Sequence, residues 1–209
     1  MKIAIIGSGN VGKALATSSV RAGHSVTMSS KSPEKAAEAA AGVGATAARS
    51  NVEAVKGADI VLVAVPYDRL GEVFRDLGTA VDGKVVIDAT NHVNFDNPGE
   101  ILDGISNAEE IQKRHANAHV VKAFNYAFAS TMANPIVDGI PLDGFVAGDN
   151  QRAKDTALEF VGSIGFRPVD AGPLVMARVL EGMALMNMLL QVRNKWPWSN
   201  GWKLVGPPA

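Results

Sequence analysis

The glycines at positions 7, 9 and 12 have a spacing that can hold a pyrophosphate. They lie directly between an apolar run, residues 2–6, and a helical pattern over residues 13–22. Gly7 permits a tight turn, Gly9 lets a phosphate approach the backbone closely, and Gly12 lets the helix pack on the sheet. Since the N–H groups at the start of such a helix bind phosphate oxygens, this stretch predicts a dinucleotide-binding strand–turn–helix unit.

The residues after the second predicted strand, 25–28, distinguish NADP from NAD. Proteins that bind NAD usually place an acid there, which accepts a hydrogen bond from the ribose 2′-hydroxyl. Here the strand is followed by Ser29, Ser30 and Lys31, and Lys35 comes one helical turn later. Because hydroxyl and ammonium groups suit a phosphate, the sequence predicts NADP(H), with these four residues at its 2′-phosphate.

Further strand-like runs alternate with helical patterns along the chain. Residues 59–65 form an unbroken run typical of a central parallel strand that is covered on both faces, and residues 84–87 and 119–122 predict two more strands. We therefore predict an α/β protein whose residues 1–140 form a doubly wound parallel sheet, the Rossmann fold. Residues 141–209 are predicted to form a small C-terminal α/β lobe that closes the cofactor cleft.

Polar residues follow two of these strands, at the sheet edge where ligands bind in such folds. Asn91 follows the strand at 84–87, and Asn125 follows the strand at 119–122. Between them lies a long polar loop, residues 92–105, and loops of this length are more often functional than idle. This edge is the predicted binding site.

Composition limits the possible partners. The 209 residues carry a formal net charge of −1 and contain no cysteine. The charge gives no indication of nucleic acid or a membrane surface as a partner, and the missing cysteines exclude disulfides and zinc–thiolate sites. We predict no metal site. The start of the chain lacks a signal-peptide pattern and no apolar stretch reaches about 18 residues, so we expect a cytoplasmic protein with no membrane span.

The sequence resembles the deazaflavin (coenzyme F420)-dependent NADP oxidoreductase family and, equally, the NADPH-binding domain of the STEAP metalloreductases. The resemblance covers nearly the whole chain. The stretches that carry it are GSGNVGKAL from residue 7, SSKSPEKA from residue 29, VVKAFN from residue 120, AGDN from residue 147 and DAGPL from residue 170.

The resemblance implies a cofactor site, residue by residue. The residues that match the family's contacts are Ser8, Gly9, Asn10 and Val11 at the pyrophosphate, Ser30, Lys31 and Lys35 at the 2′-phosphate, Val65, Pro66 and Arg69 at the adenosine, and Asn91, Ala123, Phe124 and Asn125 near the nicotinamide.

In this family a hydride passes between the nicotinamide and a flavin or deazaflavin. The protein supplies alignment and a dry slot, so the resemblance implies an NADP-dependent oxidoreductase with no catalytic acid–base pair. FMN, FAD or a deazaflavin would be the second cofactor. One alternative is an imine or carbonyl reductase, which needs a proton donor; Tyr126, His92 and Lys122 are the candidates. Another alternative is a non-catalytic NADPH-binding sensor.

The last long helical pattern, residues 174–193, contains four methionines among its leucines. A methionine-rich apolar face is usually part of the core or of a subunit interface, and it can also form an adaptable wall for a flavin ring. From this face we expect a homodimer formed through the C-terminal helix.

Overall fold

The computed structural model describes residues 1–92, 97 and 104–206. The elements of its first half are β1 (Lys2–Ile6), α1 (Asn10–Arg21), β2 (Ser25–Ser29), α2 (Pro33–Val43), β3 (Thr46–Ala47), α3 (Asn51–Val55), β4 (Ile60–Val63), α4 (Leu70–Leu77) and β5 (Val85–Asp88). Those of its second half are α5 (Asn107–Arg114), β6 (His119–Ala123), α6 (Ala129–Ala133), β7 (Ile136–Val137), β8 (Ile140–Pro141), β9 (Asp143–Gly148), α7 (Gln151–Ser163), β10 (Arg167–Gly172) and α8 (Ala177–Asn194). Most of the predicted loop at 92–105 lies outside the described residues.

Eight of these strands form one sheet in the order β10-β9-β6-β5-β4-β1-β2-β3. The order from β3 to β6 is that of a doubly wound dinucleotide-binding fold, and all pairs in this part are parallel. Only the pair β6–β9 is antiparallel among the described strands of this sheet. The predicted α/β Rossmann fold is therefore confirmed, and its ligand edge lies at the carboxyl ends of β1, β2, β4, β5 and β6.

The strands of the predicted C-terminal lobe continue this same sheet. β9 pairs with β6, and β10 pairs with β9. A glycine allows the close packing of β9 on β6, since a Cβ on Gly148 would lie 2.5 Å from Cγ1 of Val121. Gly144 likewise allows α7 to pack closely on β9, since a Cβ there would lie 2.2 Å from Cγ1 of Val161. A domain boundary between residues 140 and 141 remains a prediction.

The sheet is covered on both faces, as the unbroken apolar run at β4 predicts. Ile60 and Leu62 pack in one core cluster, with α1 and α7, whereas Val61 and Val63 pack in the other, with α4 and α5. All four side chains are fully buried. Burial of each such side chain contributes about 1.5–3 kcal/mol, so the central strands form a rigid base for the ligand edge.

The helical segment Leu174–Asn194 has the length and apolar composition of a membrane span, with a mean hydropathy of 1.3 over its most apolar stretch. By length and composition this segment contradicts the prediction that no apolar stretch reaches about 18 residues, although it contains Arg178 and Glu181. On its buried face Glu181 accepts from Lys122 and Asn187 donates to the carbonyl of Tyr126. Such contacts are typical of a helix that packs within a protein.

Candidate functional site

The turn after β1 and the first turn of α1 each require a glycine. Gly7 has φ +123°, and a Cβ there would lie 2.1 Å from the carbonyl oxygen of Ala64. A Cβ on Gly12 would lie 2.0 Å from the carbonyl oxygen of Gly7. The tight turn and the close helix packing expected from the sequence are both present.

Gly9 differs, because no protein atom requires it. Its φ of −76° suits any residue, and among the described residues beyond its own chain neighbours no atom lies within 4 Å of the place that a Cβ would take. Gly9 is the N-cap of α1, where no side chain caps the helix and no acid stands in the first turn. The glycine therefore keeps open the space in front of uncapped N–H groups, which carry the positive end of the helix dipole.

This helix start opens into a cleft of ≈ 1120 Å³ between the ends of β1, β2 and β4. Nine of the predicted site residues line it: Gly7, Ser8, Gly9, Ser30, Lys31, Lys35, Val65, Pro66 and Arg69. Asn10 is exposed on the first turn of α1. Apart from Asn10, Val11 and Ser29, which do not line it, the structure thus brings the predicted pyrophosphate, 2′-phosphate and adenosine residues to one cavity.

Four cations line the cleft whose side chains have no acidic partner among the described residues. They are Lys31, Lys35, Arg49 and Arg75, and all four are exposed. Beside them the hydroxyl of Ser8 donates to the hydroxyl of Ser30 over 2.9 Å. Sequence reasoning missed Arg49, although it follows β3 at the same sheet edge and the rule that identified Lys31 could have found it.

The acids of the cleft are bound to other side chains. Asp76 accepts from Nδ2 of Asn51 at 2.8 Å, and Glu72 pairs with Arg69 at 3.3 Å. Ser29 was predicted to face the 2′-phosphate, but its side chain is fully buried, donates to Oδ1 of Asn51 at 2.7 Å and does not line the cleft. The hydroxyl of Ser29, the last residue of β2, is held instead by Asn51 at the start of α3, which packs on this strand.

A second, smaller cavity of ≈ 200 Å³ lies beside the start of α1, at the ends of β5 and β6. It is lined by Val11, Ala89, Asn91, Asn125, Tyr126, Ala127, Phe128, Ala129, Met132, Ala184, Met188 and Trp198. Three of the predicted cofactor residues, Val11, Asn91 and Asn125, meet here. Met188 brings one of the α8 methionines to the cavity wall.

The two asparagines of this cavity hold each other. Nδ2 of Asn91 donates to the carbonyl of Asn125 at 2.7 Å, and Nδ2 of Asn125 donates to Oδ1 of Asn91 at 2.9 Å and to the carbonyl of Leu180 at 3.0 Å. Oδ1 of Asn125 is buried and has no hydrogen-bond partner among the described residues. A buried acceptor of this kind calls for a donor from a ligand or water.

Phe124 and Ala123 support the cavity from behind. Both side chains are fully buried and line neither cavity, and the ring of Phe124 packs against Phe160 and Phe166. The φ of Phe124 is +68°, a left-handed conformation that costs a non-glycine residue about 1–3 kcal/mol. This turn places Asn125 at the cavity.

A buried ion cluster lies next to the cavity. The ammonium of Lys122 donates to Asp88 at 2.8 Å, to Glu181 at 2.6 Å and to the carbonyl of Thr90 at 2.7 Å. Burial lowers the pKa of Lys122, but the two carboxylates outweigh burial, so its pKa is raised. Burial raises the pKa of Glu181 above its ordinary value, and the nearby carboxylate of Asp88 raises it further. The ammonium of Lys122 lowers this pKa but does not cancel the two effects.

The three candidate proton donors are engaged elsewhere. The hydroxyl of Tyr126 accepts from the N–H of Phe145 at 2.5 Å, and burial raises its pKa. Lys122 belongs to the ion cluster, and the ring of His92 stacks on Tyr67 at a centroid distance of 3.8 Å. Among the described residues no group of three or more His, Asp or Glu side chains is placed to hold a metal ion.

The family model described as "NADP oxidoreductase coenzyme F420-dependent" matches residues 2–92. The chain is 32% identical to the F420-dependent NADP reductase of Methanothermobacter marburgensis, over 93% of this chain and 94% of the relative. It is 30% identical to metalloreductase STEAP3 of Rattus norvegicus, over 88% of this chain and 36% of that longer protein. A crystal structure of a protein from Arthrobacter sp. FB24, at 24% identity, covers 99% of this chain with a TM-score of 0.87 and supports the fold.

Proposed function

Because the chain belongs to the family of F420-dependent NADP reductases, we propose that it transfers a hydride between NADP(H) and a deazaflavin. Membership of this family confirms the predicted class, an NADP-dependent oxidoreductase. It also favours the deazaflavin over FMN or FAD as the second cofactor.

The start of α1 suits the pyrophosphate of the cofactor. Its N–H groups have no capping side chain, and the space beside Gly9 is open to a ligand. Anions bind at such helix starts because the free N–H groups and the helix dipole both favour negative charge. Ser8, Gly9, Asn10 and Val11 are the proposed contacts.

The basic cleft suits the 2′-phosphate. Lys31, Lys35 and Arg49 line it without acidic partners among the described residues, and the hydroxyl of Ser30 lies beside them. A phosphate would receive charge-assisted hydrogen bonds from these groups, and Arg49 adds a planar fork that a lysine lacks. The adenosine would lie against Val65, Pro66 and Arg69.

The small cavity suits the nicotinamide. Its volume, ≈ 200 Å³, is below the ~300 Å³ at which pockets for drug-sized ligands begin, so it is a slot for a single ring. The unpaired Oδ1 of Asn125 is an acceptor for the N–H₂ group of a carboxamide. Asn91 keeps Asn125 in place, and Ala123 and Phe124 form the support behind it.

A bound NADP(H) would supply the chemistry, the transfer of a hydride between its nicotinamide and the deazaflavin, and the proton that accompanies reduction of the deazaflavin would come from solvent. The residues of this chain align the two rings and exclude water, which requires no acid or base at the reacting atoms. Tyr126 and Lys122 are engaged in other hydrogen bonds, which is consistent with a reaction that uses no protein acid or base.

The proposal is carried by one observation: four cations without acidic partners among the described residues line the same cleft as an uncapped helix start. Thermal unfolding with NADPH and with NADH tests it. A ligand at 100 times its Kd adds about 2.7 kcal/mol, so NADPH should raise the Tm by about 5–10 °C and NADH by much less. Absence of a shift with NADPH would contradict the proposal, whereas binding without turnover of any deazaflavin or flavin would favour the sensor.

We further propose that the protein is a homodimer that pairs through α8. Val179, Met186 and Leu189 are exposed apolar residues on this helix, and with Gly182 they follow a three–four spacing. This is the spacing of a helix–helix seam, and the glycine permits close approach. Gly182 and its neighbours on α8 also line an apolar groove of ≈ 310 Å³.

Sedimentation tests the dimer. Met186→Glu should give a monomer, because a charge in an apolar seam loses its hydration. Val52→Glu, at an exposed apolar position of α3, is the control and should leave the dimer intact. A monomeric parent protein would contradict the proposal.

A cytoplasmic location, with no nucleic acid or membrane partner, remains part of the proposal. It is supported by the near-neutral charge, by the absence of cysteine and by the protein contacts of the polar residues of α8. A separate C-terminal lobe from residue 141 also remains a proposal; limited proteolysis that releases an intact 1–140 fragment would support it.

A further inference from the structure

Trp198 lies at the small cavity although it belongs to the irregular chain end that follows α8. Its indole is half exposed and lines the cavity together with Asn91 and Asn125. It also meets the ring of Phe128 nearly edge to face, at a centroid distance of 5.0 Å. An aromatic side chain therefore forms part of the wall of the proposed nicotinamide slot, on the side open to solvent.

The indole belongs to residues 196–206, the C-terminal strap, whose backbone is hydrogen-bonded to the rest of the protein. The hydroxyl of Ser130 donates to the carbonyl of Trp198 at 2.5 Å, and the N–H of Trp196 donates to the carbonyl of Gln191. Beyond Trp198, the N–H of Asp143 donates to the carbonyl of Trp202 at 3.0 Å. The strap is thus fixed on both sides of Trp198.

The second anchor of the strap is charged. The buried carboxylate of Asp143 accepts two hydrogen bonds of 2.7 Å from Arg167, one from Lys203 at 3.0 Å and one from the N–H of Leu204 at 2.6 Å. Burial raises the pKa of Asp143, but these hydrogen bonds outweigh burial and hold it below its ordinary value. The anchor is therefore ionised at neutral pH, and the strap is held firmly.

We propose that Trp198 is the stacking residue for the ring of the hydride acceptor, an inference that rests on the proposed function. A cavity of ≈ 200 Å³ takes one ring, so a tricyclic acceptor that contacts it must lie at its mouth, where the indole stands. Flat aromatic ligands stack well on an indole, and such stacking excludes water from the ring. Trp198 orients the acceptor and is a binding and positioning residue.

Binding of oxidised coenzyme F420 in the presence of NADP⁺ tests this role. Trp198→Ala should weaken F420 binding by about tenfold, and Trp198→Phe by less, since a phenyl ring still stacks. The Kd for NADPH should stay within about twofold of the parent value. Trp196→Ala is the matched control, because Trp196 is equally exposed on the same strap and does not line the cavity.

A second readout does not depend on turnover. In a variant that keeps only Trp198 (Trp196→Phe with Trp202→Phe), F420 should quench most of the tryptophan fluorescence, whereas in Trp198→Phe the remaining quenching should be small. Thermal unfolding with NADPH reports whether each variant is folded.

The outcomes separate the two proposals. If Trp198→Ala binds F420 as the parent does, or more tightly, Trp198 does not hold the acceptor and this inference is wrong while the proposed function stands. If the parent protein binds NADPH but no F420, the deazaflavin acceptor and the inference both fail.

Discussion

The basic cleft and the buried ion cluster place lysines at the same edge of one sheet, yet in opposite settings. In the cleft, Lys31 and Lys35 are exposed and have no acidic partner among the described residues. In the cluster, Lys122 is fully buried and binds Asp88 and Glu181. The first lysines follow the end of β2, and the last lies within β6.

The difference shows how to separate ligand-binding charges from architectural ones. A buried charge needs its partners, since desolvation without them is costly, so the cluster serves to join β5, β6 and α8. Exposed cations gathered around a helix start repel one another, and no ion pair within the protein offsets this repulsion among the described residues. They are therefore the groups that a phosphate would bind.

The largest expected effect is on the stability of the cluster. Lys122→Ala leaves two carboxylates buried without their cation and should lower the free energy of unfolding by about 3–5 kcal/mol. Denaturant unfolding measures this change. Lys56→Ala, at an exposed site, is the control and should stay within about 0.5 kcal/mol of the parent. Equal effects of the two substitutions would show that the cluster is not architectural.

In the cleft, by contrast, a substitution should stabilise the folded protein and weaken cofactor binding. Gly9→Asp introduces a favoured N-cap with a charge that suits the helix dipole, so the apo protein should gain up to about 1 kcal/mol. The same carboxylate fills the open space and repels a phosphate, and NADPH affinity should fall by about a hundredfold or more. Melting curves and NADPH titrations report the two effects. A variant that retains parental affinity would contradict the pyrophosphate site.

A smaller loss of NADPH affinity is expected on substitution of Arg49, the cleft residue that the sequence analysis does not predict. Arg49→Ala removes hydrogen bonds from a charged donor, which are worth about 1.5–3 kcal/mol, so NADPH should bind about tenfold more weakly or worse. NADH, which lacks the 2′-phosphate, should bind unchanged. Arg21→Ala, on the exposed end of α1, is the control. Equal losses for NADPH and NADH would place Arg49 away from the 2′-phosphate.

The smallest effect concerns the pH dependence of the cluster. Because the pKa of Glu181 is raised in the folded protein, its contribution to stability is greatest below its unfolded pKa and declines as the pH rises through the folded pKa. The difference in unfolding free energy between the parent and Glu181→Gln should therefore move against the parent as the pH rises from about 4.5. Urea titrations across this range measure it; a difference that grows in favour of the parent would mean that Lys122 stabilises the carboxylate more than burial opposes it.

Part of the site could be predicted because it is local in sequence. The glycine turn, the basic end of β2 and the central strands each lie within a few residues, so their spacing alone indicates the geometry. Arg49 lay within reach of the same rule but follows a strand of only two residues, Thr46–Ala47. The burial of Ser29 depends on its hydrogen bond to Asn51 of α3, a contact between separate segments that the spacing around β2 does not predict.

The sequence by itself determined the fold class, the helix start that faces the proposed pyrophosphate and the basic character of the strand end, since neighbouring residues encode these features. Only the tertiary structure decided that β9 joins β6, that Lys122 meets Glu181, and that the strap carries Trp198 back to Asn125. These contacts join segments far apart in the chain. They depend on how whole helices and strands pack and on which buried charges pair. The spacing of residues within a short stretch of sequence predicts neither of these.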